Sequence, residues 1–220
     1  MAEITDMPDI AIQLEHVCKK FGTQQALVDI NHAFEKGKIH GIVGNNGSGK
    51  TVLMKCICGF ILPDSGRIRV NKDMIGIGRD FPRDLGLIIE TPGFLPNMTG
   101  FKNLSLLASL NRKIGDKTVA DTIRRVGLDP DLKKPVSKYS LGMRQRLGIA
   151  QAIMENPSIL ILDEPLNGLD KHSASQIREL IKGLREDGKT LLLTSHNQFD
   201  IDMLCDTVIE MDAGELTVLR

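Results

Sequence analysis

Apolar positions along the chain fall into short runs that alternate with stretches of helical period. Two of the runs alternate loosely between apolar and polar residues, and most of the others are continuously apolar, as buried strands are. This succession of strand-like and helical segments is typical of an α/β sheet. Strands are predicted at residues 11–18, 27–34, 39–43, 67–70, 85–89, 158–162 and 190–194, with a final hairpin at residues 211–216.

Helical periods dominate the middle of the chain. Ser, Thr or Asn marks a helix start, because its side chain accepts a hydrogen bond from a free backbone N–H group. Gly marks a helix end, because it readily adopts the left-handed conformation there. We predict one domain over residues 1–220, in which a core of residues 1–90 and 155–220 carries a helical subdomain at about residues 91–154. The predicted helices are residues 50–58, a helix capped by Thr99 or Asn97, residues 116–126, residues 141–154, and an amphipathic helix that buries Ile177, Leu180, Ile181 and Leu184.

Composition excludes several classes of protein. Lys+Arg and Asp+Glu are equal at 28 each, so no broad basic field exists, and with aromatic residues at 4% a nucleic-acid partner is not predicted. The acidic first ten residues lack the apolar segment of a signal peptide, and the apolar runs are far shorter than the roughly 18 residues of a membrane span. The four cysteines lack metal-site spacing and are expected to be buried thiols. We therefore expect a cytoplasmic protein.

A glycine-rich loop between a predicted strand and a predicted helix carries the clearest chemistry. Glycines let the backbone wrap with its N–H groups pointing inward, and the helix start adds partial positive charge, so the loop can hold a phosphate chain. Lys50 is expected to reach the β- and γ-phosphates, and the Thr51 hydroxyl to take a Mg²⁺ position. The loop consists of Gly44, Asn45, Asn46, Gly47, Ser48, Gly49, Lys50 and Thr51.

Two later strands end in polar residues of the types that nucleotide hydrolysis needs. The apolar run 158–162 is followed by Asp163 and Glu164. Asp163 suits a Mg²⁺ ligand, and Glu164 suits a base that polarises the attacking water. His196 follows the run 190–194 and could donate a hydrogen bond to the γ-phosphate.

The segment from Lys138 to Leu147 lies between these motifs and carries a resemblance. With it, the sequence resembles the ATP-binding-cassette (ABC) family of ATPases over essentially its whole length. The phosphate loop, a strand-end loop at Glu90, the signature at Ser140–Gln145, the acidic pair and His196 follow in the family's order. The resemblance implies an α/β fold: a P-loop ATPase core with a mixed, mainly parallel sheet, an antiparallel β subdomain and an inserted helical subdomain.

The resemblance also implies further site residues and partners. Phe21 matches the aromatic residue that stacks on adenine, and Asp170 belongs to a segment that looks like the family's D-loop. Two nucleotide-binding domains would pair head to tail, with ATP between the phosphate loop of one chain and Ser140 and Gly142 of the other. The cofactors implied are ATP and Mg²⁺. An integral membrane permease would be a separate chain, docked near residues 90–100, and would hold this subunit at the inner face of the cell membrane.

Two departures from the family pattern indicate a subgroup. Leu141 and Met143 replace residues of the usual Leu-Ser-Gly-Gly-Gln signature, and Glu90 replaces the usual Gln, where it could act as a Mg²⁺ ligand. These features resemble the subgroup that exports drugs and peptide antibiotics or confers bacitracin and lantibiotic immunity. The alternatives left open are a compact ABC importer ATPase and a single-cassette ABC ATPase without a transport role.

Overall fold

The computed structural model describes residues 9–76, 81–90 and 92–220. Its strands form two sheets, one of six strands and one of four. The strands are β1 (Ile10–Phe21), β2 (Gln24–Glu35), β3 (Ile39–Val43), β4 (Ser65–Val70), β5 (Asp73–Met74), β6 (Leu85–Ile88), β7 (Ile159–Leu162), β8 (Thr190–Thr194), β9 (Thr207–Asp212) and β10 (Glu215–Val218). The helices are α1 (Lys50–Ile57), α2 (Gly100–Asn111), α3 (Asp116–Arg125), α4 (Leu141–Ile153), α5 (Lys171–Glu186) and α6 (Gln198–Leu204).

The larger sheet has the order β10-β9-β3-β8-β7-β6, and every neighbouring pair is parallel except β10 with β9. The smaller sheet is antiparallel, with the order β2-β1-β4-β5. The predicted mixed, mainly parallel sheet with an antiparallel β subdomain is therefore confirmed. Because parallel strands all end at the same edge, the segments after β3, β6, β7 and β8 gather at one side of the molecule.

Burial of both sheet faces explains the continuous apolar runs in the central strands. Alternate residues of a strand point to opposite faces. Leu160 and Leu162 of β7 pack into the core shared with the helices of the middle region, whereas Ile159 and Ile161 pack into the core shared with α1 and the antiparallel sheet. A strand covered on both faces has no polar side, so its sequence shows no alternation.

The predicted middle region folds into three helices, α2, α3 and α4. Both α3 and α4 begin at the predicted residue and end one residue before the predicted bound. Thr99, rather than Asn97, caps α2 by accepting a hydrogen bond from the backbone N–H of Lys102 at 3.2 Å. Among the residues the structure covers, no helix combines the length and apolar composition needed to cross a membrane. The division of the chain into a core and a helical subdomain stays a prediction.

The expectation that all four cysteines are buried is wrong for one of them. Cys56, Cys58 and Cys205 are buried, and burial raises the pKa of Cys56 to about 11 and of the other two to about 12. Cys18 is only partly buried, and its sulfur accepts a hydrogen bond from the backbone N–H of Asp29 at 3.3 Å. Cys18 lies where the pairing of β1 with β2 shifts register between Val17 and Lys19, which the local sequence pattern did not indicate.

Candidate nucleotide-binding site

The glycine-rich loop joins β3 to α1 in a conformation that requires glycine. Gly44, Gly47 and Gly49 have φ values of 134°, 81° and 110°. A Cβ atom on Gly44 would lie 2.1 Å from the carbonyl oxygen of Met211, and one on Gly49 would lie 2.6 Å from that of Ala26. Gly49 precedes α1 without a side-chain cap. The first N–H groups of α1 therefore remain available to an anion.

Lys50 is buried and folds back over this loop. Its Nζ donates hydrogen bonds to the carbonyl oxygens of Gly44 at 2.6 Å and Asn45 at 2.9 Å. The ammonium charge is thereby fixed at the loop backbone rather than extended into solvent. This arrangement adds a full positive charge to the partial charges of the helix start.

A cavity of about 400 Å³ opens beside the loop and gathers side chains from four strand ends. It brings Asp163, Glu164 and His196 next to the phosphate loop, as the sequence predicts. Phe21, whose side chain is 49% exposed, lies at its edge. The cavity lining includes Phe21, Gln24, Asn46, Gly47, Gly49, Lys50, Thr51, Asp163, Glu164 and His196. Gly44, Asn45 and Ser48 belong to the loop but do not line this cavity.

Asp163 and Glu164 are held by the neighbouring strands. The backbone N–H of Asp163 donates to the carbonyl oxygen of Ile88 at 2.8 Å. The Thr194 hydroxyl donates to Oδ1 of Asp163 at 2.7 Å and accepts from the backbone N–H of Glu164 at 2.8 Å. Glu164 has a positive φ of 49°. The Thr194 hydroxyl thus fixes both acidic residues at the end of β7.

The Glu164 carboxylate is arranged as a hydrogen-bond acceptor. Its Oε2 accepts from the backbone N–H of His196 at 3.4 Å, and Nε2 of His196 lies 3.5 Å from Oε1. Burial raises the pKa of Glu164, and the neighbouring His196 acts in the opposite direction. Within the described ranges, Oε1 of Glu164 and Oγ of Ser48 are buried without a hydrogen-bond partner. A buried carboxylate oxygen with spare acceptor capacity can bind and polarise a water molecule.

The oxygen donors in this cavity fit Mg²⁺. Mg²⁺ prefers oxygen ligands and is usually bound by one or two carboxylates together with substrate phosphates. Thr51 supplies a hydroxyl and Asp163 a carboxylate to the lining of this cavity. In the part of the chain that the structure covers, no three acidic, His or Cys side chains are grouped closely enough to hold a metal by themselves.

Glu90, the third predicted metal residue, is turned toward α1. Its Oε1 lies 2.6 Å from Nζ of Lys55, and its backbone φ is 60°. It lines a second cavity of about 260 Å³ together with Asp163, Glu164 and Gln145. Glu90 is thus adjacent to the acidic pair, while its carboxylate is engaged by a lysine that the sequence analysis did not single out.

The signature residues lie at the exposed start of α4. Ser140 caps this helix by accepting a hydrogen bond from the backbone N–H of Met143 at 3.2 Å. A Cβ atom on Gly142 would lie 3.1 Å from the carbonyl oxygen of Gly168. Neither Ser140 nor Gly142 lines the cavity beside the phosphate loop of its own chain. Leu141, which replaces a glycine, has no positive φ and is 55% exposed.

Asp170 is engaged in capping α5. Its carboxylate accepts hydrogen bonds from the backbone N–H of Ser173 at 3.0 Å and from the Ser173 hydroxyl at 2.8 Å, and these bonds lower the pKa of Asp170. The structure also brings Gln145 to the acidic pair, because its side-chain amide donates to the carbonyl oxygen of Glu164 at 2.9 Å. A role of Asp170 toward nucleotide stays a prediction.

Sequence reasoning missed Lys55 and Thr194 as parts of the site. Thr194 had a signal, since it opens the polar triplet at the end of β8. Lys55 had a weaker one: it follows Thr51 by four residues and so lies on the same face of α1. Its partner Glu90 is 35 positions away, and the pairing depends on the tertiary structure.

The parallel sheet, the glycine-rich phosphate loop and the strand-end carboxylates together define a P-loop nucleotide-binding domain. The family model described as ABC transporter matches residues 27–167. The chain therefore belongs to the ABC transporter family, and its relatives are ATP-binding proteins of that family.

Three curated relatives illustrate the similarity. An uncharacterized ABC transporter ATP-binding protein of Bacillus subtilis, YybJ, is 40% identical over 205 residues, covering 93% of this chain and 94% of the relative. The bacitracin transport ATP-binding protein BcrA of Enterococcus faecalis is 39% identical over 216 residues, covering 94% of this chain and 68% of the relative. The lantibiotic transport ATP-binding protein SrtF of Streptococcus pyogenes is 33% identical, covering 90% of this chain and 85% of the relative.

The fold also matches a solved structure. This structure is the dimeric post-hydrolysis state of the ATP-binding cassette MJ0796 bound to ADP and Pi, with a TM-score of 0.86 and 23% sequence identity. The match covers 95% of this chain and 99% of the other. At this identity the similarity supports the fold, which is the ABC ATPase fold that the sequence predicts.

Proposed function

We propose that this chain is the Mg²⁺-dependent ATPase subunit of an exporter for a peptide antibiotic, drug or similar substrate. The observation that carries the proposal is the single cavity in which Lys50, Asp163 and Glu164 meet beside the phosphate loop. A cationic side chain, backbone N–H donors and an acidic pair in one cavity match the needs of a polyphosphate and its hydrolysis.

The proposed roles follow from where each side chain lies. Lys50 and the loop N–H groups bind and orient the phosphates. Glu164 accepts a hydrogen bond from the attacking water through its Oε1, and His196 contacts the same carboxylate and donates toward the γ-phosphate. Thr51 and Asp163 would hold Mg²⁺, with Glu90 as a further oxygen donor. Mg²⁺ neutralises phosphate charge when bound.

We propose that the complete site needs a second copy of a nucleotide-binding domain. Ser140 and Gly142 open α4 on an exposed surface, where helix N–H groups can meet an anion supplied by another chain. No acidic side chain occupies the first turn of α4, so this helix start does not repel phosphate. ATP between two such chains would join them, and the dimer population would rise with ATP.

The substrate class rests on the relatives. BcrA and SrtF are named for bacitracin and lantibiotic transport, and this chain shares 33–39% of its residues with them over at least 90% of its length. We propose that this chain acts at the inner face of the membrane through a separate permease. A compact importer and a cassette without a transport role are the alternatives.

A resistance experiment tests this assignment. Cells that lack their own resistance system would express this chain together with the permease that co-purifies with it from detergent. The wild-type pair should raise the inhibitory concentration of bacitracin or a lantibiotic, and a pair with Lys50→Ala should not. Failure to co-purify any membrane protein would favour the role without transport. ATP-dependent uptake of a nutrient by the pair would favour the importer.

A further inference from the structure

An ion pair links α1 to the strand end that carries Glu90. Nζ of Lys55 lies 2.6 Å from Oε1 of Glu90, with the lysine side chain 25% exposed and the glutamate side chain 61% exposed. Charged partners at this separation form a stronger hydrogen bond than neutral ones do. The pair connects the helix that begins at the phosphate loop with the segment beside Asp163.

The backbone at Glu90 adopts a conformation that non-glycine residues rarely adopt. Its φ of 60° lies in the left-handed region. Such a conformation is unfavourable for a non-glycine residue and persists where surrounding contacts determine it. The ion pair with Lys55 is a contact of this kind, because it fixes the direction of the Glu90 side chain toward α1.

The position of Lys55 relates the pair to the phosphate site. Lys55 lies one helical turn beyond Thr51 on the same face of α1. Glu90 shares a cavity with Asp163 and Glu164, so an unpaired Glu90 would add a third negative charge close to the site for the nucleotide phosphates. Lys55 compensates that charge.

We propose that Lys55 is a positioning residue that holds the Glu90 carboxylate on α1 and thereby keeps it from repelling the nucleotide. Glu90 acts on the Mg²⁺-nucleotide only after it leaves Lys55. This inference rests on the proposed ATP-binding function. It follows that removing Lys55 makes nucleotide binding depend more steeply on Mg²⁺, because the released carboxylate opposes free ATP but not Mg²⁺-ATP.

Nucleotide affinity tests the proposal without any measurement of turnover. ATP affinity is measured with Mg²⁺ and with EDTA for the wild type, Lys55→Met, Glu90→Gln and the double variant. The ratio of the two dissociation constants should rise about threefold or more in Lys55→Met, as expected for a partly exposed ion pair. In the Glu90→Gln background, Lys55→Met should change that ratio much less. Lys55→Arg should restore the wild-type ratio.

Lys182→Met is the matched control, since Lys182 pairs with Glu179 at 3.2 Å on α5 and its loss removes the same charge elsewhere. It should leave the ratio unchanged. An unchanged ratio in Lys55→Met overturns the proposal. An equal rise with and without Glu90 also overturns it, because Lys55 would then act directly on the phosphates. If Lys55→Met does not fold, Lys55→Gln gives the same comparison. If the wild type does not bind ATP, the proposed function fails, whatever Lys55 does.

Discussion

The two ends of the parallel sheet differ in whether their buried polar groups have hydrogen-bond partners. At the carboxyl end, two buried oxygen atoms have no hydrogen-bond partner within the described ranges: Oε1 of Glu164 and Oγ of Ser48. At the amino end, both ring nitrogens of His40 have partners: Nε2 donates to the carbonyl oxygen of Glu35 at 2.9 Å, and Nδ1 accepts from the Thr207 hydroxyl at 2.7 Å. One end has spare capacity for a ligand, and the other is internally satisfied.

Other contacts at the amino end follow the same rule. The Asp206 carboxylate accepts from the backbone N–H of Ile39 at 2.8 Å and from Nε of Arg185 at 2.9 Å. The Thr190 hydroxyl accepts from the backbone N–H of Gly37 at 3.0 Å. Buried polar groups are ordinarily paired, so the unpaired ones point to where something else binds. We infer that changes at the carboxyl end alter function, whereas changes at the amino end alter stability.

The largest effect is expected from Glu164→Gln at the carboxyl end. Loss of the general base should lower the ATP hydrolysis rate roughly 10²–10⁴-fold. ATP binding should persist, because the amide keeps the shape and removes a negative charge, and ATP-bound dimers should accumulate. Phosphate release measures the rate, nucleotide titration measures binding, and sedimentation with and without ATP measures assembly.

Glu179→Gln on the outer face of α5 is the control for Glu164→Gln and should hydrolyse ATP at the wild-type rate. A Glu164→Gln protein that turns over normally would remove Glu164 from the role of base. A dimer that is equally stable without nucleotide would contradict the ATP-dependent assembly while leaving the ATPase activity in place.

The two ends also differ in how far the sequence predicted them. At the carboxyl end, Gly44 to Thr51, Asp163, Glu164 and His196 were found because each follows an apolar run at a recognisable spacing, and the structure brings most of them to one cavity. At the amino end, nothing in the sequence connects His40 with Thr207, which is 167 positions away. Such pairings depend on the strand order, in which β9 lies beside β3.

The same reasoning explains which elements were predicted. The bounds of β3 and β8 agree with the predicted 39–43 and 190–194, because polar or glycine residues flank continuous apolar runs. The strands β1 and β2 extend beyond the predicted bounds, mainly at residues 19–21 and 24–26 beside their connecting turn. These residues are mostly polar and none is buried, so they show no apolar pattern. The two-residue β5 and seven-residue α6 are too short to show a period and were not predicted.

Lys50→Ala tests whether the carboxyl end of the sheet binds the nucleotide, as distinct from hydrolysing it. Loss of hydrogen bonds from a charged group should weaken ATP binding roughly 10- to 100-fold, since each is worth about 1.5–3 kcal/mol. Equilibrium titration with ATP measures this loss. Lys189→Ala, which removes a partly buried lysine at the amino end beside Thr190, is the control and should bind ATP as the wild type does. Equal affinities in Lys50→Ala and wild type would place the nucleotide elsewhere.

Thr207→Val tests the opposite end. The variant keeps the side-chain shape but leaves Nδ1 of the buried His40 without its donor, which should lower the free energy of unfolding by about 1–3 kcal/mol. Urea unfolding measures the loss, and ATP affinity should not change. Thr217→Val on β10 is the control, because Thr217 is exposed. If Thr207→Val weakened ATP binding and left the unfolding midpoint unchanged, the proposed division between the ends would fail.

The smallest effect is a pH dependence of stability that arises at the amino end. Burial, and then the nearby His40, lower the pKa of His32 to about 4, and burial also lowers the pKa of His40. The His32 ring packs edge to face on Phe34 with the ring centroids 4.5 Å apart, and Phe34 packs on His40 with the centroids 5.1 Å apart. Protonating either imidazole would therefore place a charge among packed rings between β2 and β3.

The sign of this dependence follows from the lowered pKa values. Between pH 6.5 and about pH 4 the unfolded chain binds a proton at His32 that the folded chain does not. The contribution of neutral His32 is complete above pH 6.5 and is lost as the pH falls toward 4. In His32→Gln the free energy of unfolding should therefore fall less steeply over this pH range than in the wild type. The difference in slope should be well under the limit of about 1.4 kcal/mol per pH unit for one proton, because His32 is partly exposed. Urea unfolding at pH 8 is the control for packing, since the imidazole is neutral in both states there. Parallel curves for the two proteins would show that His32 does not couple protonation to folding, and would leave His40 as the group to replace next.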